Sequence, residues 1–227
     1  MNIKITKEEF DYIRDNATFV FDVVMGSRMY GTAKEGSDTD RLTVYKELFA
    51  SDLYYPNYHQ LQYDDVENNI QYILSTDRQF YKNLFSGDSS INADVVLYHF
   101  GSITDEEKLN VLRTFNIIKG YIGFAKRDLK QINKGKNKDF HIMRGLYCAS
   151  ELLDNRLPDI DVIKSFADES EHDCVMSKMV EEILRKKCND MFDKGELTMF
   201  PKKPIFEIPN SLELKIVEAN NIKEFKY

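Results

Sequence analysis

The sequence predicts an α/β (α+β) protein in which a small mixed β-sheet is followed by a mainly helical C-terminal region. Short β-branched and aromatic runs occur before residue 102, and apolar residues at helical spacing dominate after it. The composition, 42% hydrophobic and 30% charged over 227 residues, is that of a globular chain able to bury a substantial core. We therefore expect one domain over 1–102 and a helical domain over 103–227.

The first strand is predicted from a run of seven residues that ends at a glycine. Residues 19–25 read Phe-Val-Phe-Asp-Val-Val-Met, and Gly26 follows. A run of this length that stops at glycine favours a buried strand over a helix. A second strand is expected to continue from Asp40, and a third at 69–74 beside it.

The helices are predicted from capping residues and apolar spacing. Ser75-Thr76-Asp77 can cap a helix that ends near Phe85, before Gly87. In the second half we expect three helices, at 105–131, 139–155 and 172–193. The last carries an apolar stripe that we expect to pack in the core, namely Met176, Met179, Val180, Ile183, Leu184, Cys188, Met191 and Phe192.

The turn after the first strand has the properties of a phosphate cradle. Gly26 lacks a Cβ, so the backbone can approach an anion closely. If a helix begins at Ser27, its unpaired N–H groups and its positive dipole end face the same point. Ser27 can either cap that helix or bond a phosphate oxygen.

Asp38 and Asp40 predict a divalent-metal site. Residues two apart on a strand point to the same face, so the two carboxylates lie side by side and repel unless a cation sits between them. Mg²⁺ accepts oxygen ligands from one or two carboxylates together with substrate phosphates. An Asp-x-Asp alone is common in loops, but its place after the strand and glycine turn points to chemistry on a nucleoside triphosphate.

These two segments together resemble a known superfamily. Gly26-Ser27-Arg28-Met29-Tyr30-Gly31-Thr32, followed by Ser37-Asp38-Thr39-Asp40, resembles the nucleotidyltransferases typified by DNA polymerase beta. The likeness is strongest to the predicted nucleotidyltransferases of bacteria and phages, some of which are linked to RNA repair. It covers roughly residues 18–155.

The resemblance implies a fold, an activity and a set of site residues. The fold is a nucleotidyltransferase core, and the enzyme transfers a nucleoside monophosphate from a triphosphate (NTP) to a hydroxyl and releases pyrophosphate, with Mg²⁺ or Mn²⁺. Asp38 and Asp40 would carry the metal. The implied nucleotide-binding residues in this part of the chain are Gly26, Ser27, Arg28, Tyr30, Gly31 and Ser37.

The resemblance also implies a third carboxylate, for which two residues compete. Asp94 stands just ahead of an apolar run, as the family pattern requires, and would then be a catalytic residue and a metal ligand. Glu67 precedes the strand expected beside the Asp-x-Asp strand, which gives it nearly equal weight. Asp65 is a more distant alternative.

A group of basic residues in the second half of the chain also follows the family pattern. Lys138, His141 and Arg144 match its Lys-x-x-His-x-x-Arg element, and His141 and Arg144 share a helix face. They would form a cationic strip that binds a nucleotide phosphate or a polynucleotide end. The alternative is a hydrogen-bonded histidine at a helix start and a surface arginine.

Charge bears on the acceptor. The net charge of −7 argues against broad binding of nucleic acid, yet 124–144 holds seven cations against two acids. This basic stretch comprises Lys126, Arg127, Lys130, Lys134, Lys136, Lys138 and Arg144. We expect RNA or tRNA as the first acceptor and a protein or small molecule as the second. A catalytically silent nucleotide-binding or antitoxin-like protein is the alternative outside the enzymes.

Three further expectations complete the reading. Arg41 replaces an apolar or aromatic residue of the family. It would either contact the substrate or point to solvent, and we expect it to point to solvent. Cys148, Cys174 and Cys188 lack zinc spacing and predict reduced thiols in a cytoplasmic protein, with Cys148 and Cys188 in the core. The N-terminal residues lack a signal-peptide core and no apolar run reaches the ~18 residues of a membrane span, so no membrane partner is expected.

Overall fold

A computed structural model describes residues 3–46, 60–101, 103–132, 138–167 and 174–201. The strands of these residues are β1 (Ile3–Lys4), β2 (Phe19–Val24), β3 (Thr39–Tyr45), β4 (Leu61–Asp65) and β5 (Ile70–Thr76). The helices are α1 (Lys7–Asn16), α2 (Gly26–Tyr30), α3 (Asp77–Ser86), α4 (Ser90–His99), α5 (Asp105–Leu112), α6 (Phe115–Ile132), α7 (Asp139–Leu153), α8 (Ile160–Ser165) and α9 (Cys174–Asp193). The predicted α/β class, with a mixed sheet and a mainly helical remainder, is confirmed.

The chain divides into two compact units. The described residues up to Lys82, together with 99–101, belong to the first unit, and 83–98 with 103–201 belong to the second. The second unit thus includes a stretch that precedes the expected division at residue 102. That domain boundary stays a prediction.

The sheet of the first unit is mixed, with strand order β1-β4-β5-β3-β2. β3 runs antiparallel to β2 and parallel to β5, and β5 runs antiparallel to β4. The strand predicted at 69–74 therefore lies beside the Asp-x-Asp strand, as expected. Asp40 is in register with Gln71, and Gln71 is in register with Asp64, so these three side chains share one face of the sheet.

The two faces of the sheet are covered by different elements. Helix α1 begins at a capping box, in which Thr6 Oγ1 accepts from the Glu9 N–H and Glu9 accepts from the Thr6 N–H. Phe10 and Ile13 of α1 then pack onto Tyr45 and Leu74. On the other face, which also carries Asp40, Phe21 of β2 packs edge-on against Phe80 and Phe100, with ring centroids 5.1 and 5.5 Å apart.

The second unit is helical, but one predicted helix is two. The expected helix over 105–131 breaks at Arg113 and Thr114, and α6 begins at Phe115. The backbone N–H of Phe115 bonds to the Thr198 carbonyl at 2.9 Å instead of to its own helix. This tertiary bond takes the place of a helical one, so the apolar spacing alone did not reveal the break.

The stripe expected on α9 is only partly buried. Leu184 and Cys188 are buried, whereas Met176, Met179 and Ile183 are more than half exposed. Buried Ser177 and Glu181 continue the inner face instead. The expectation that all eight residues pack in the core is therefore wrong, because α9 turns its polar Ser177 and Glu181 inward.

The remaining predictions have mixed outcomes. Helices α3 and α7 end within two residues of their expected bounds, whereas helices α1, α4 and α8 and strands β1 and β4 were not predicted. Cys148 and Cys188 are free and buried, as expected. Lys134 and Lys136 lie outside the described residues. Within the described parts of the chain, every helix is too short or too polar to cross a bilayer.

Candidate functional site

The turn between β2 and β3 begins at a glycine whose conformation and surroundings both require it. Gly26 has a φ of +60°, in the left-handed region. A Cβ added there would lie 2.2 Å from Oδ2 of Asp40. The backbone N–H of Met25 also donates to the Asp40 carbonyl at 2.7 Å. The bare Cα of Gly26 is thus what allows the Asp40 carboxylate to lie against the start of α2.

Arg28 organises the loop that leads to the two aspartates. Its Nη2 donates to the Ser37 carbonyl at 2.8 Å, and its Nε donates to the Asp38 carbonyl at 3.2 Å. Ser37 Oγ accepts from the Lys34 N–H at 2.9 Å. These bonds place Asp38 at the head of β3. Phosphate binding by Arg28 and Ser37 stays a prediction.

Two other residues of the motif serve the turn itself. The Tyr30 side chain is only 2% exposed and belongs to the core. Gly31 ends α2 in the left-handed conformation, with a φ of 74°. The Ser27 carbonyl accepts from the Thr32 N–H at 2.8 Å, which closes the turn. Burial of Tyr30 disfavours the direct nucleotide contact that the resemblance implied for it.

The electrostatics of Asp38 and Asp40 favour a cation. Burial raises the pKa of Asp40, and the neighbouring Asp38 carboxylate raises that pKa further. Both causes penalise the charged form of Asp40, and a bound cation would relieve them. Asp38 itself is exposed to solvent.

The donor set fits one divalent ion of the Mg²⁺ type. Asp38 and Asp40 supply hard carboxylate oxygens. The Asp40 carboxylate occupies the space beside Gly26 that a Cβ would otherwise fill. Among the described residues, however, no three acids, histidines or cysteines gather as a metal-binding group. Neither Asp94 nor Glu67, the two candidates for a third acidic ligand, forms such a group with Asp38 and Asp40.

Glu67 lies at the same end of the sheet as Asp38. It occupies the exposed turn between β4 and β5. Asn69 of this turn contacts both sides of Asp38, because its carbonyl accepts from the Thr39 N–H at 3.0 Å and its Nδ2 donates to the Gly36 carbonyl at 3.4 Å. Metal binding by Glu67 stays a prediction. Asp65 is in register with Ile70, so its side chain lies on the opposite face from Asp40.

Asp94 is engaged inside the second unit. It is fully buried in α4, accepts from the Tyr121 hydroxyl at 2.7 Å, and forms an ion pair with Arg144. Tyr121 lies on α6 and Arg144 on α7, so this carboxylate ties three helices together. Because each of its oxygens already accepts a hydrogen bond, a structural role is favoured over metal binding, which remains untested.

The strip expected from Lys138, His141 and Arg144 does not form as a cationic surface. Arg144 is 5% exposed and also contacts the Ser90 hydroxyl, at 3.3 Å. Burial lowers the pKa of His141 to about 4, and the charges of Arg144 and Lys138 lower it further. His141 is therefore neutral at pH 7. Contact of these residues with a nucleotide stays a prediction.

The structure also contains polar groups that sequence reasoning did not identify. Gln71 is the neighbour of Asp40 on the same face, but strand register is invisible in the sequence. Arg41 pairs with the buried Asp22 on the opposite face and is 14% exposed, so the expectation that it points to solvent is wrong. The signal for that pair was Asp22 itself, a lone carboxylate inside an apolar strand.

Comparisons with known proteins give little beyond this geometry. No protein-family model matches the chain, and no curated protein matches it. Among solved structures, a nucleotidyltransferase-like protein from Exiguobacterium sibiricum is 11% identical over 95% of this chain and 86% of that one, at a TM-score of 0.29. A likeness of that size carries no argument about the site.

Proposed function

We propose that this chain is a divalent-metal-dependent nucleotidyltransferase that moves a nucleoside monophosphate from an NTP to an acceptor hydroxyl. The observation that carries this proposal is the close approach of Gly26 to Asp40, which joins the glycine turn to the Asp38–Asp40 pair within one unit. A turn suited to phosphate next to a pair suited to Mg²⁺ is what a metal–triphosphate complex requires.

In this proposal each residue has a positioning task. Asp38 and Asp40 hold Mg²⁺ or Mn²⁺, which when bound neutralises charge on the phosphates. The first N–H groups of α2 and the Ser27 hydroxyl donate to the β- and γ-phosphates. The acceptor oxygen bonds to the α-phosphorus as the α-phosphorus–oxygen bond to the β-phosphate breaks. Pyrophosphate leaves with that electron pair, and the hydroxyl proton passes to water.

RNA, including tRNA, is the acceptor that we place first. The basic stretch supports it, since Lys130 is exposed on α6 and Lys138 stands at the start of α7. Part of the stretch is internally paired, because Arg127 contacts Asp128 at 3.0 Å and Lys126 contacts Glu181 at 3.5 Å. Lys130 and Lys138, which form no ion pair with another described residue, therefore carry this part of the proposal.

Transfer of labelled nucleotide tests the reaction. The protein is incubated with each α-³²P-labelled ribonucleoside triphosphate, Mg²⁺ or Mn²⁺, and total cellular RNA and protein. Label should enter the acceptor with the wild type and be lost with Asp38→Asn/Asp40→Asn. Asp190→Asn/Asp193→Asn, which removes the same charge from exposed sites near the end of α9, should retain transfer. Transfer by the Asp38/Asp40 variant would refute the proposal.

Charge removal from the basic stretch tests the acceptor. Lys134→Gln/Lys136→Gln/Lys138→Gln should weaken labelling of RNA several-fold, because fewer phosphates are neutralised. A matched control on exposed lysines of the α9 region, Lys178→Gln/Lys186→Gln/Lys194→Gln, should leave it unchanged. Label found in protein or in small molecules, with no effect of either triple variant, would replace RNA as the acceptor.

A further inference from the structure

One side chain beside the aspartates has the position and chemistry of a further metal ligand. β3 and β5 are parallel, and Asp40 is in register with Gln71. Neighbouring strands lie about 4.8 Å apart, and residues in register project from the same face. Gln71 is therefore the nearest side chain to Asp40 on the adjacent strand.

The amide of Gln71 is oriented from the far side. Its Nε2 donates to Oδ1 of Asp64, 3.1 Å away on β4. The same Oδ1 accepts from Gln62 Nε2 at 2.8 Å, and Oδ2 of Asp64 pairs with the Lys4 ammonium at 2.7 Å. Asp64 is thus held on both oxygens, and it draws the nitrogen of the Gln71 amide toward β4.

This orientation leaves the amide oxygen for another partner. Within the described residues, Oε1 of Gln71 accepts no hydrogen bond from another side chain. A carbonyl oxygen is a hard donor of the kind that Mg²⁺ and Mn²⁺ accept, and it carries no net charge. Two carboxylates and one amide oxygen would balance the charge of a single divalent ion.

We propose that Gln71 supplies the third protein oxygen to the metal held by Asp38 and Asp40, and that Asp64 and Lys4 position it. This inference rests on the proposed function, because it concerns the same metal site. It assigns the third ligand to a neutral residue of β5 instead of to Glu67 or Asp94. It also accounts for the lack of a third acid among the described residues gathered at the site.

Metal binding to the nucleotide-free protein tests this directly. Free Mn²⁺ is measured by electron paramagnetic resonance as protein is titrated. Gln71→Leu should weaken Mn²⁺ binding about tenfold, since one protein ligand is lost. Asn16→Leu is the matched control, because Asn16 is an exposed amide at the end of α1 whose Nδ2 bonds the Tyr12 carbonyl, and it should leave the Mn²⁺ affinity unchanged.

A charge swap provides the second arm. Asp64→Asn/Gln71→Glu keeps the net charge and lets the new Asn donate to the new Glu, while it moves a carboxylate next to Asp40. Mn²⁺ affinity should rise about tenfold, because the site gains charge. This variant also tests the proposal if Gln71→Leu fails to fold, since its hydrogen bond is retained.

The outcomes separate the two proposals. If Asp38→Asn/Asp40→Asn abolishes Mn²⁺ binding but Gln71→Leu and the swap both leave it unchanged, Gln71 is not a ligand and the proposed function survives. If Asp38→Asn/Asp40→Asn leaves Mn²⁺ binding intact, or the wild type binds no Mn²⁺, the metal site itself fails and the Gln71 assignment fails with it.

Discussion

Gly26 is the residue on which the candidate site depends most directly. Its left-handed φ and its contact with Asp40 make two separate demands for glycine. The first is conformational, because any position with a left-handed φ favours glycine. The second is particular to this site, because the space beside Gly26 is occupied by a carboxylate.

Gly26→Ala should therefore reduce nucleotide transfer by roughly 100-fold or more, because the Asp40 carboxylate must move away from the new methyl group. Transfer of labelled nucleotide measures this. Gly195→Ala is the matched control, since Gly195 has a similar φ of +74° and nothing within 4 Å of its added Cβ. Both variants should lose stability through strain, of about 1–2 kcal/mol. Equal activity in the two variants would contradict the role given to the Gly26–Asp40 contact.

His141 makes stability depend on pH. Its pKa falls from 6.5 to about 4 on folding, because burial and then Arg144 disfavour the charged ring. Between these values the unfolded chain binds more protons than the folded chain, so the free energy of unfolding falls as the pH falls. Above about pH 6.5 the ring is neutral in both states and contributes no pH dependence.

His141→Gln should remove this part of the pH dependence. Urea unfolding near pH 7.5 and about pH 5 should show a larger loss of stability in the wild type than in the variant. His99, whose pKa burial also lowers, is present in both proteins and so does not affect the difference. Identical losses in the two proteins would contradict a half-buried ring that stays neutral in the folded protein.

Arg41 and Asp22 show where reasoning about single residues failed. The sequence shows that each residue is charged, but it does not show that the two residues form an ion pair. Strand pairing brings them together, with Thr43 Oγ1 donating to the other Asp22 oxygen at 2.8 Å. Burying such a pair is tolerable when its groups are bonded, and the antiparallel register of β2 and β3 gives both Asp22 oxygens a partner.

Helix α6 illustrates packing by close backbone approach. A Cβ added to Gly120 would lie 2.4 Å from the Gly87 carbonyl, and one added to Gly87 would lie 2.1 Å from the Asn116 carbonyl. The turn between α3 and α4 therefore rests directly on the backbone of α6. A side chain at either glycine would separate the two elements.

Gly120→Ala should destabilise the protein by roughly 1–3 kcal/mol, because the turn at Gly87 must shift away from α6. Gly123→Ala on the same helix has open space around its Cβ and should stabilise by about 0.5–1 kcal/mol, since alanine favours a helix. Urea unfolding of the two variants compares them. Equal destabilisation of the two variants would contradict the role given to the close contact between Gly120 and Gly87.

Elements differ in how far the sequence could predict them. The strand before Gly26 and the helix after Thr76 were predictable, because their start and stop signals are local. The break between α5 and α6 was not, since it depends on a bond from Phe115 to the distant Thr198. The inner face of α9 was only partly predictable, because buried Glu181 pairs with Lys126 of α6, which is distant in the sequence.

For the whole molecule, ligand linkage gives the most general test of the proposed function. Mg²⁺ and NTP together should raise the melting temperature of the first unit, because they bind only its folded form. At a ligand concentration of a hundred times Kd, the free energy of unfolding should rise by about 2.7 kcal/mol. Circular dichroism is the readout, as the chain has no Trp. Asp38→Asn/Asp40→Asn should abolish the increase, and an equal increase with NTP and EDTA would contradict metal dependence.

The sequence by itself determined the α/β class, the glycine turn, the Asp38–Asp40 motif and four of the nine helices of the described residues, namely α2, α3, α7 and α9. These features depend on contacts between residues close in the chain, where period and residue type carry the information. Only the tertiary structure decided that Gly26 touches Asp40, that Arg144 turns inward to Asp94, and that Gln71 stands beside Asp40. Each of these depends on strand register or helix packing, which brings together residues whose separation in the sequence carries no periodic signal.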